Sequence, residues 1–192
     1  MSVTKAIIIH GTGGSPQGNW FPWLKEELEK LHLSVIAPQF PIGDRQSLSS
    51  WMSEFSKWLT AVDSETMLIG HSIGPAFILN LLERDSTSTI AAAFLVAPFV
   101  GKLGGKFDSF NRTFAERDFD WIKIKQHCKN FFIYSSDNDP YVPLERGEFL
   151  SAKLNAKFKI VRGAGHINAE SGFTKFPLLL DDIKQFISDP ER

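Results

Sequence analysis

Short apolar runs alternate along the chain with longer stretches in which apolar positions recur every three or four residues. The short runs carry Ile, Val, Leu or Phe on successive positions, which is typical of strands buried on both faces of a parallel sheet. We predict strands at 5–9, 33–37, 65–69, 91–97, 130–135 and 157–161. We predict helices at 20–31, 47–60, 73–84, 116–126, 144–154 and 173–187. This alternation predicts an α/β fold of three layers, α/β/α, in which helices cover a mostly parallel six-stranded sheet.

Residues 101–115 are the least regular part of the chain. Gly101, Gly104 and Gly105 are followed by three Phe residues among polar neighbours. Two interpretations are open: a mobile flap over a site, or an ordinary surface loop with aromatic side chains packed beneath it.

Length and composition indicate one domain spanning residues 1–192. A chain of 192 residues with 43% hydrophobic content can bury one substantial core. Its net charge of −1, with 21 basic and 22 acidic residues intermixed, predicts neither a nucleic-acid nor a membrane partner. No segment approaches the ~20 apolar residues of a membrane span, and residues 6–9 lack the length of a signal peptide's apolar region. With Cys128 as the single cysteine, we expect a cytoplasmic protein.

The segment Gly70-His71-Ser72-Ile73-Gly74 lies between a predicted strand and a predicted helix. In a nucleophile elbow, a serine sits on a sharp strand-to-helix turn, and glycines two residues before and after it let the backbone segments approach closely. This context predicts Ser72 as a nucleophile. The alternative is that Ser72 only caps the helix.

A serine elbow requires an acid after one strand and a histidine after the last one. Asp137 and Asp139 follow the strand at 130–135, and His166 follows the strand at 157–161. We predict His166 as the base and Asp139 as the acid that orients it, with Asp137 capping a turn. The imidazole of His71 is expected to point away from the nucleophile.

Acyl transfer also needs backbone donors where the oxyanion develops, and we predict the N–H groups of Ile73 and Thr12 for that role. A phosphate-binding loop is the alternative interpretation of the Gly-rich segment around Thr12. Pro16 stands where a dinucleotide fingerprint needs its third glycine, and Asn19-Trp20 replace the Lys and Ser/Thr of a P-loop. No His, Cys and Asp residues show metal-ligand spacing. We therefore expect neither a cofactor nor a metal.

The chain resembles the alpha/beta-hydrolase superfamily, and within it the small serine hydrolases related to retinoblastoma-binding protein nine and the bacterial YdeN group. The resemblance runs nearly end to end and rests on His10-Gly11 with Trp20 downstream, the elbow at 70–74, Phe119-Asp120-Trp121-x-Lys123-Ile124, Ser136-x-x-Asp139-Pro140-x-x-Pro143, and Gly165-His166. It implies a Ser72, Asp139 and His166 triad. It also implies a reduced sheet that lacks the first two strands of larger relatives, and a minimal cap over a shallow, open site.

The resemblance does not extend to every property of the family. The mammalian relative is associated with a Leu-x-Cys-x-Glu motif for binding pocket proteins, and the segment around Cys128, Gln126-His127-Cys128-Lys129-Asn130, does not match it. We therefore predict that this partner-binding motif is absent, and that the partner of the chain is a small-molecule acyl substrate.

The sequence predicts a serine hydrolase that cleaves a small ester-like substrate through an acyl-enzyme intermediate. A peptidase or amidase is one alternative, and a non-catalytic interaction module on a hydrolase scaffold is another. Five aromatic residues are candidate walls of the substrate pocket, with ordinary core packing as the alternative for each: Trp20, Phe21, Phe99, Phe110 and Tyr141.

Overall fold

The computed structural model describes residues 3–84 and 87–189, so part of the predicted 1–192 domain lies outside it. Its strands are β1 Lys5–Ile9, β2 Ser34–Ile36, β3 Thr66–His71, β4 Ala92–Val96, β5 Phe131–Ser135 and β6 Lys157–Ile160. They form one sheet in the order β2-β1-β3-β4-β5-β6, and every neighbouring pair is parallel. The predicted six-stranded parallel sheet is confirmed.

Helices cover both faces of this sheet. They are α1 Phe21–Lys30, α2 Leu48–Phe55, α3 Ile73–Leu82, α4 Asp108–Ala115, α5 Trp121–His127, α6 Leu144–Leu154 and α7 Pro177–Ser188. Apolar side chains of α1 and α7 form the core on one face, and those of α2 to α6 form the core on the other. The three-layer α/β/α prediction is therefore confirmed. Within the described residues, no helix combines the length and the apolar character needed to cross a membrane.

Strand β3 illustrates why apolar residues occupy successive positions. Leu68 packs into the core on the α2 to α6 side, whereas Met67 and Ile69 pack into the core on the α1 and α7 side. All three are fully buried. A strand covered on both faces has no solvent-facing position that requires a polar residue.

Residues 101–115 contain helix α4, which neither sequence interpretation of this segment predicted. Phe114 and Asn111 are buried, and the carbonyl of Phe114 accepts a hydrogen bond from the Asn80 side chain of α3 at 2.8 Å. The Asp108 carboxylate accepts hydrogen bonds from the N–H groups of Leu103 and Gly104, at 3.1 and 2.8 Å. These contacts order the Gly-rich turn before the helix.

Two helices begin later than predicted, for local reasons. The helix predicted at 116–126 begins at Trp121, because the Asp120 side chain caps it by accepting the N–H of Lys123 at 3.0 Å. The helix predicted at 173–187 begins at Pro177. Proline suits this first position, because an N–H there would have no acceptor within the helix and proline has none to satisfy.

Gly70 and Gly74 occupy positions where the backbone leaves no room for a side chain. A Cβ at Gly74 would lie 2.7 Å from the carbonyl oxygen of Ile9, and one at Gly70 would lie 2.8 Å from the carbonyl carbon of Gly74. These glycines allow α3 to begin directly against β1 and β3, which is the close approach expected of an elbow.

Replacement of Gly74 by Ala is expected to lower the free energy of unfolding by about 3 kcal/mol, because the methyl group would overlap the β1 backbone. Urea unfolding followed by circular dichroism measures the change. Gly105→Ala is the matched control, since a Cβ at Gly105 meets no atom within 4 Å. Equal effects of the two substitutions would contradict the close approach.

Candidate active site

Ser72 lies on the turn between β3 and α3. Its backbone has φ +60° and ψ −108°, a conformation that residues other than glycine rarely adopt. The N–H of Ser72 donates to the carbonyl of Val96 in β4 at 2.9 Å, which holds the strained turn against the sheet. The turn places Ser72 at the carboxyl edge of the sheet.

The structure joins Ser72, His166 and Asp139 in one hydrogen-bonded chain. Nε2 of His166 lies 3.1 Å from Oγ of Ser72, and Nδ1 of His166 lies 2.7 Å from Oδ2 of Asp139. The second carboxylate oxygen accepts the N–H groups of Tyr141 and Val142 at 2.9 and 3.0 Å. The side chains of His166 and Asp139 are only 9% and 2% exposed. The carboxylate is therefore shielded from water and fixed in direction.

The sequence predicted that Asp137 caps a turn. Instead, its side chain binds the loop that carries His166. Three consecutive side chains, Ser136–Asn138, accept hydrogen bonds from three consecutive N–H groups, Gly163–Gly165, at 2.7 to 3.1 Å. Asp137 is the middle member, and its other oxygen lies 3.4 Å from a guanidinium nitrogen of Arg162. These contacts align the loop after β5 with the loop that carries His166.

Trp20 and Phe21 lie in the core and do not line a substrate cavity. Both are almost fully buried, and their rings pack edge to face at 4.6 Å between centroids. The indole N–H of Trp20 donates to the carbonyl of Ile167 at 3.0 Å. Trp20 thus holds the loop that carries His166, a role that no local sequence pattern indicates.

His71 also holds this loop. Its Nε2–H donates to the carbonyl of His166 at 2.9 Å, and the two rings lie 4.9 Å apart. Burial lowers the pKa of His71 to about 3, and the neighbouring His166 acts in the same direction. Nδ1 of His71 has no partner among residues 3–84 and 87–189. His71 is therefore a neutral donor throughout the physiological pH range.

This depressed pKa predicts a pH dependence of stability. The pKa of His71 is 6.5 in the unfolded chain and about 3 in the folded one. At a pH between these two values, His71 is protonated in the unfolded chain and neutral in the folded chain. The free energy of unfolding therefore falls as the pH falls, by about 3 kcal/mol from this group between pH 7 and pH 4. Urea unfolding at both pH values should show that His71→Gln, which keeps an N–H donor, lacks this component. An unchanged pH dependence in the variant would contradict the assignment.

A cavity of about 310 Å³ opens beside Ser72 and His166. Of the predicted wall residues, Phe99 and Tyr141 line it, whereas Trp20, Phe21 and Phe110 do not. Sequence reasoning missed three apolar lining residues, Leu103, Phe107 and Val142, and four polar ones, Asn19, Asn111, Asn168 and Glu170. A larger open groove of about 570 Å³ adjoins the cavity but contains none of the three hydrogen-bonded side chains.

Of the predicted oxyanion donors, Ile73 follows Ser72 in the chain, and Thr12 lines the same cavity as Ser72. Thr12 lies in the loop after β1. Ile73 is the first residue of α3, and the first N–H groups of a helix have no intrahelical partner. The positive end of the α3 dipole therefore points at the Ser72 turn. Among the residues that the structure describes, no three His, Cys, Asp or Glu side chains form a group suited to a metal ion.

Comparison with known proteins agrees with this geometry. Residues 6–185 match the serine hydrolase family. YdeN of Bacillus subtilis (strain 168) is 28% identical over 194 residues, covering 99% of this chain and 100% of that protein. The serine hydrolase RBBP9 of Rattus norvegicus is 27% identical over 190 residues, covering 97% of each.

Solved structures show the same architecture. The structure of YdeN from B. subtilis superposes with a TM-score of 0.90 at 26% identity, covering 97% of this chain and 100% of that one. Est1E of Butyrivibrio proteoclasticus shares the fold, with a TM-score of 0.72 at 19% identity over 97% of this chain and 88% of its own. The chain therefore belongs to the serine hydrolase family and has the alpha/beta-hydrolase fold.

Proposed function

We propose that this serine hydrolase cleaves a small ester-like acyl substrate through an acyl-enzyme intermediate on Ser72. The observation that carries the proposal is the hydrogen-bonded chain from Ser72 through His166 to Asp139 at the wall of a cavity. A serine hydroxyl at its ordinary pKa is a weak nucleophile, and an adjacent oriented base is the standard means of activating it.

Acylation begins when Oγ of Ser72 attacks the substrate carbonyl carbon and Nε2 of His166 accepts the hydroxyl proton. Asp139 accepts the Nδ1–H and stabilises the resulting imidazolium. The N–H groups of Thr12 and Ile73 donate to the oxyanion of the tetrahedral intermediate. The intermediate collapses when the bond to the leaving oxygen breaks, and His166 passes its proton to the departing alcohol.

Deacylation repeats these steps with water. His166, neutral again, takes a proton from a water molecule that attacks the acyl carbon on Ser72. The new tetrahedral intermediate releases the carboxylic acid, and His166 returns the proton to Oγ of Ser72. One ester bond and one water molecule are consumed in each cycle, and the free hydroxyl is regenerated.

The cavity favours a short acyl group. Its volume of about 310 Å³ lies at the small end of ligand pockets, and Phe99, Leu103 and Phe107 supply apolar wall. The fold neighbour Est1E has been solved with ferulic acid bound, an aromatic carboxylic acid. These observations support an ester with a small acyl group ahead of an extended peptide.

Turnover of matched esters and anilides tests this proposal. p-Nitrophenyl acetate and butyrate should be hydrolysed at least about tenfold faster, in kcat/KM, than the decanoate, because the longer chain exceeds the cavity. The p-nitroanilide of the preferred acyl group should be slower than its ester. Equal rates on the anilide would favour the amidase alternative, and no turnover above buffer would favour the non-catalytic interaction module.

A further inference from the structure

We propose that Gln46 and Asn111 are positioning residues that hold the oxyanion loop, which we define as residues 10–14, in its donating conformation. The inference rests on the proposed function, because it assigns Thr12 of this loop an oxyanion N–H. It adds two side chains that lie outside the Ser72, His166 and Asp139 chain and are far from Thr12 in sequence.

The oxyanion loop has few means of holding its own shape. Three of its five residues are glycines, which have no side chain to pack and the widest backbone freedom. Gly13 has φ +63° and open space for 4 Å around the position of a Cβ. Within the loop, the N–H of Gly14 donates to the carbonyl of Gly11 at 3.1 Å and closes a turn. Contacts from other elements must supply the remaining order. At the two ends of the loop, the N–H of Phe40 donates to Nε2 of His10 at 3.0 Å, and Nε2 of Gln39 donates to the carbonyl of Gly14 at 3.3 Å.

At the centre of the oxyanion loop, Thr12 and Gly13 are held by two buried amides. Oγ1 of Thr12 donates to Oδ1 of Asn111. The N–H of Gly13 donates to Oε1 of Gln46 at 3.2 Å. Nε2 of Gln46 in turn donates to Oδ1 of Asn111 at 3.3 Å, which joins the two amides. Gln46 is 7% exposed and Asn111 is 4% exposed, so these hydrogen bonds are shielded from competing water.

The two amides connect the oxyanion loop to the elements around the cavity. Gln46 directly follows the 3₁₀ turn Gly43–Arg45, and Asn111 belongs to α4. Gln46 also reaches α4 through the carbonyl of Phe110, at 3.3 Å. Because oxyanion donors act by being oriented before the charge develops, a loosened loop should weaken transition-state binding more than substrate binding. The expected signature is a fall in kcat with little change in KM.

Asn111→Leu tests the inference, with Asn80→Leu as the matched control. Asn80 is also a buried amide, 3% exposed, and also binds α4, through the carbonyl of Phe114 at 2.8 Å. Its other hydrogen bonds are with Ala76 and Arg117, not with the oxyanion loop. Both substitutions should lower the urea midpoint. Asn111→Leu should lower kcat at least about tenfold with KM within threefold, whereas Asn80→Leu should change kcat less than threefold.

Affinity for a trifluoromethyl ketone, which forms an oxyanion adduct on serine, should fall in Asn111→Leu by the same factor as kcat/KM. Thr12→Val and Thr12→Ser repeat the comparison without changing α4. The Val variant loses the hydroxyl donor and should resemble Asn111→Leu, while the Ser variant keeps the donor and should stay within threefold of the wild type. Equal kcat values for Asn111→Leu and Asn80→Leu, or for the Val and Ser variants, would overturn the inference.

Hydrogen exchange of the oxyanion-loop amides gives a readout that does not depend on activity. The Gly13 amide should exchange faster in Asn111→Leu and in Gln46→Leu than in the wild type, and at the wild-type rate in Asn80→Leu. If the wild type hydrolyses no ester, the proposed function fails, and the exchange rates still decide whether these amides hold the loop. Unchanged exchange of Gly13 in both variants would show that they do not.

Discussion

Ser72→Ala is expected to lower kcat/KM for p-nitrophenyl acetate by about 10⁴-fold or more. The alanine side chain has no oxygen to attack the carbonyl, and the acyl-enzyme route is lost with it. The proposed oxyanion donors and the cavity remain, so a small rate above the buffer reaction should persist. Initial rates at several ester concentrations measure the change, with the protein concentration checked by absorbance.

Ser56→Ala is the matched control for this experiment, because Ser56 is an exposed serine whose hydroxyl donates to the carbonyl of Ser53, at 2.7 Å, and lies outside the cavity beside Ser72. It should retain the wild-type rate. A Ser72→Ala variant that keeps more than about one hundredth of the wild-type activity would contradict the nucleophilic role.

Asp139→Asn is expected to lower kcat by about 10⁴-fold, whereas Asp137→Asn should lower it by about tenfold or less. An amide at 139 can still accept the N–H groups of Tyr141 and Val142 through its oxygen. Its NH₂ group would then face Nδ1 of His166 and favour the tautomer that carries its proton on Nε2, which cannot accept a proton from Ser72.

The two aspartates form a natural matched pair in this experiment. Asp137 accepts the N–H of Gly163 at 2.8 Å, whereas the hydrogen bond of Nδ1 of His166 is with Asp139. An amide oxygen at 137 can take over the contact with Gly163. Both variants receive the same substitution within one loop. A larger loss of kcat in Asp137→Asn than in Asp139→Asn would reverse the assignment of the acid.

Local pattern was sufficient to predict the strands and the three residues that the fold brings together. Ser72 directly follows β3, Asp139 lies four residues after the end of β5, and His166 lies six residues after the end of β6. In a parallel sheet the carboxyl ends of all strands meet at one edge. The chain order of serine, acid and histidine then limited the alternatives to Asp137 or Asp139. The strand order in the sheet depends on crossovers between distant segments, which local pattern does not encode.

Helix α4 was missed because glycines at 101, 104 and 105 suggested an irregular segment. Phe107, Phe110 and Phe114 nevertheless follow helical spacing, and this signal was present in the sequence. The buried amides at 46 and 111 had no such signal. Their partners lie on other elements, so their burial and pairing are consequences of tertiary packing.

Trp20 and Phe21 show a related difficulty with aromatic residues. An aromatic side chain near a site motif can form a pocket wall or a core contact, and composition does not separate these outcomes. Here α1 packs against α7 and the sheet, which buries both rings. The indole N–H then finds its partner in the loop of His166, a contact that only the folded chain defines.

Covalent labelling with a fluorophosphonate, followed by peptide mapping, tests the central claim most directly. The hydrogen-bonded chain from Ser72 to Asp139 predicts one adduct per molecule, on Oγ of Ser72, and much slower labelling of Asp139→Asn. Absence of an adduct on the wild type, or an adduct on a residue other than Ser72, would contradict the account.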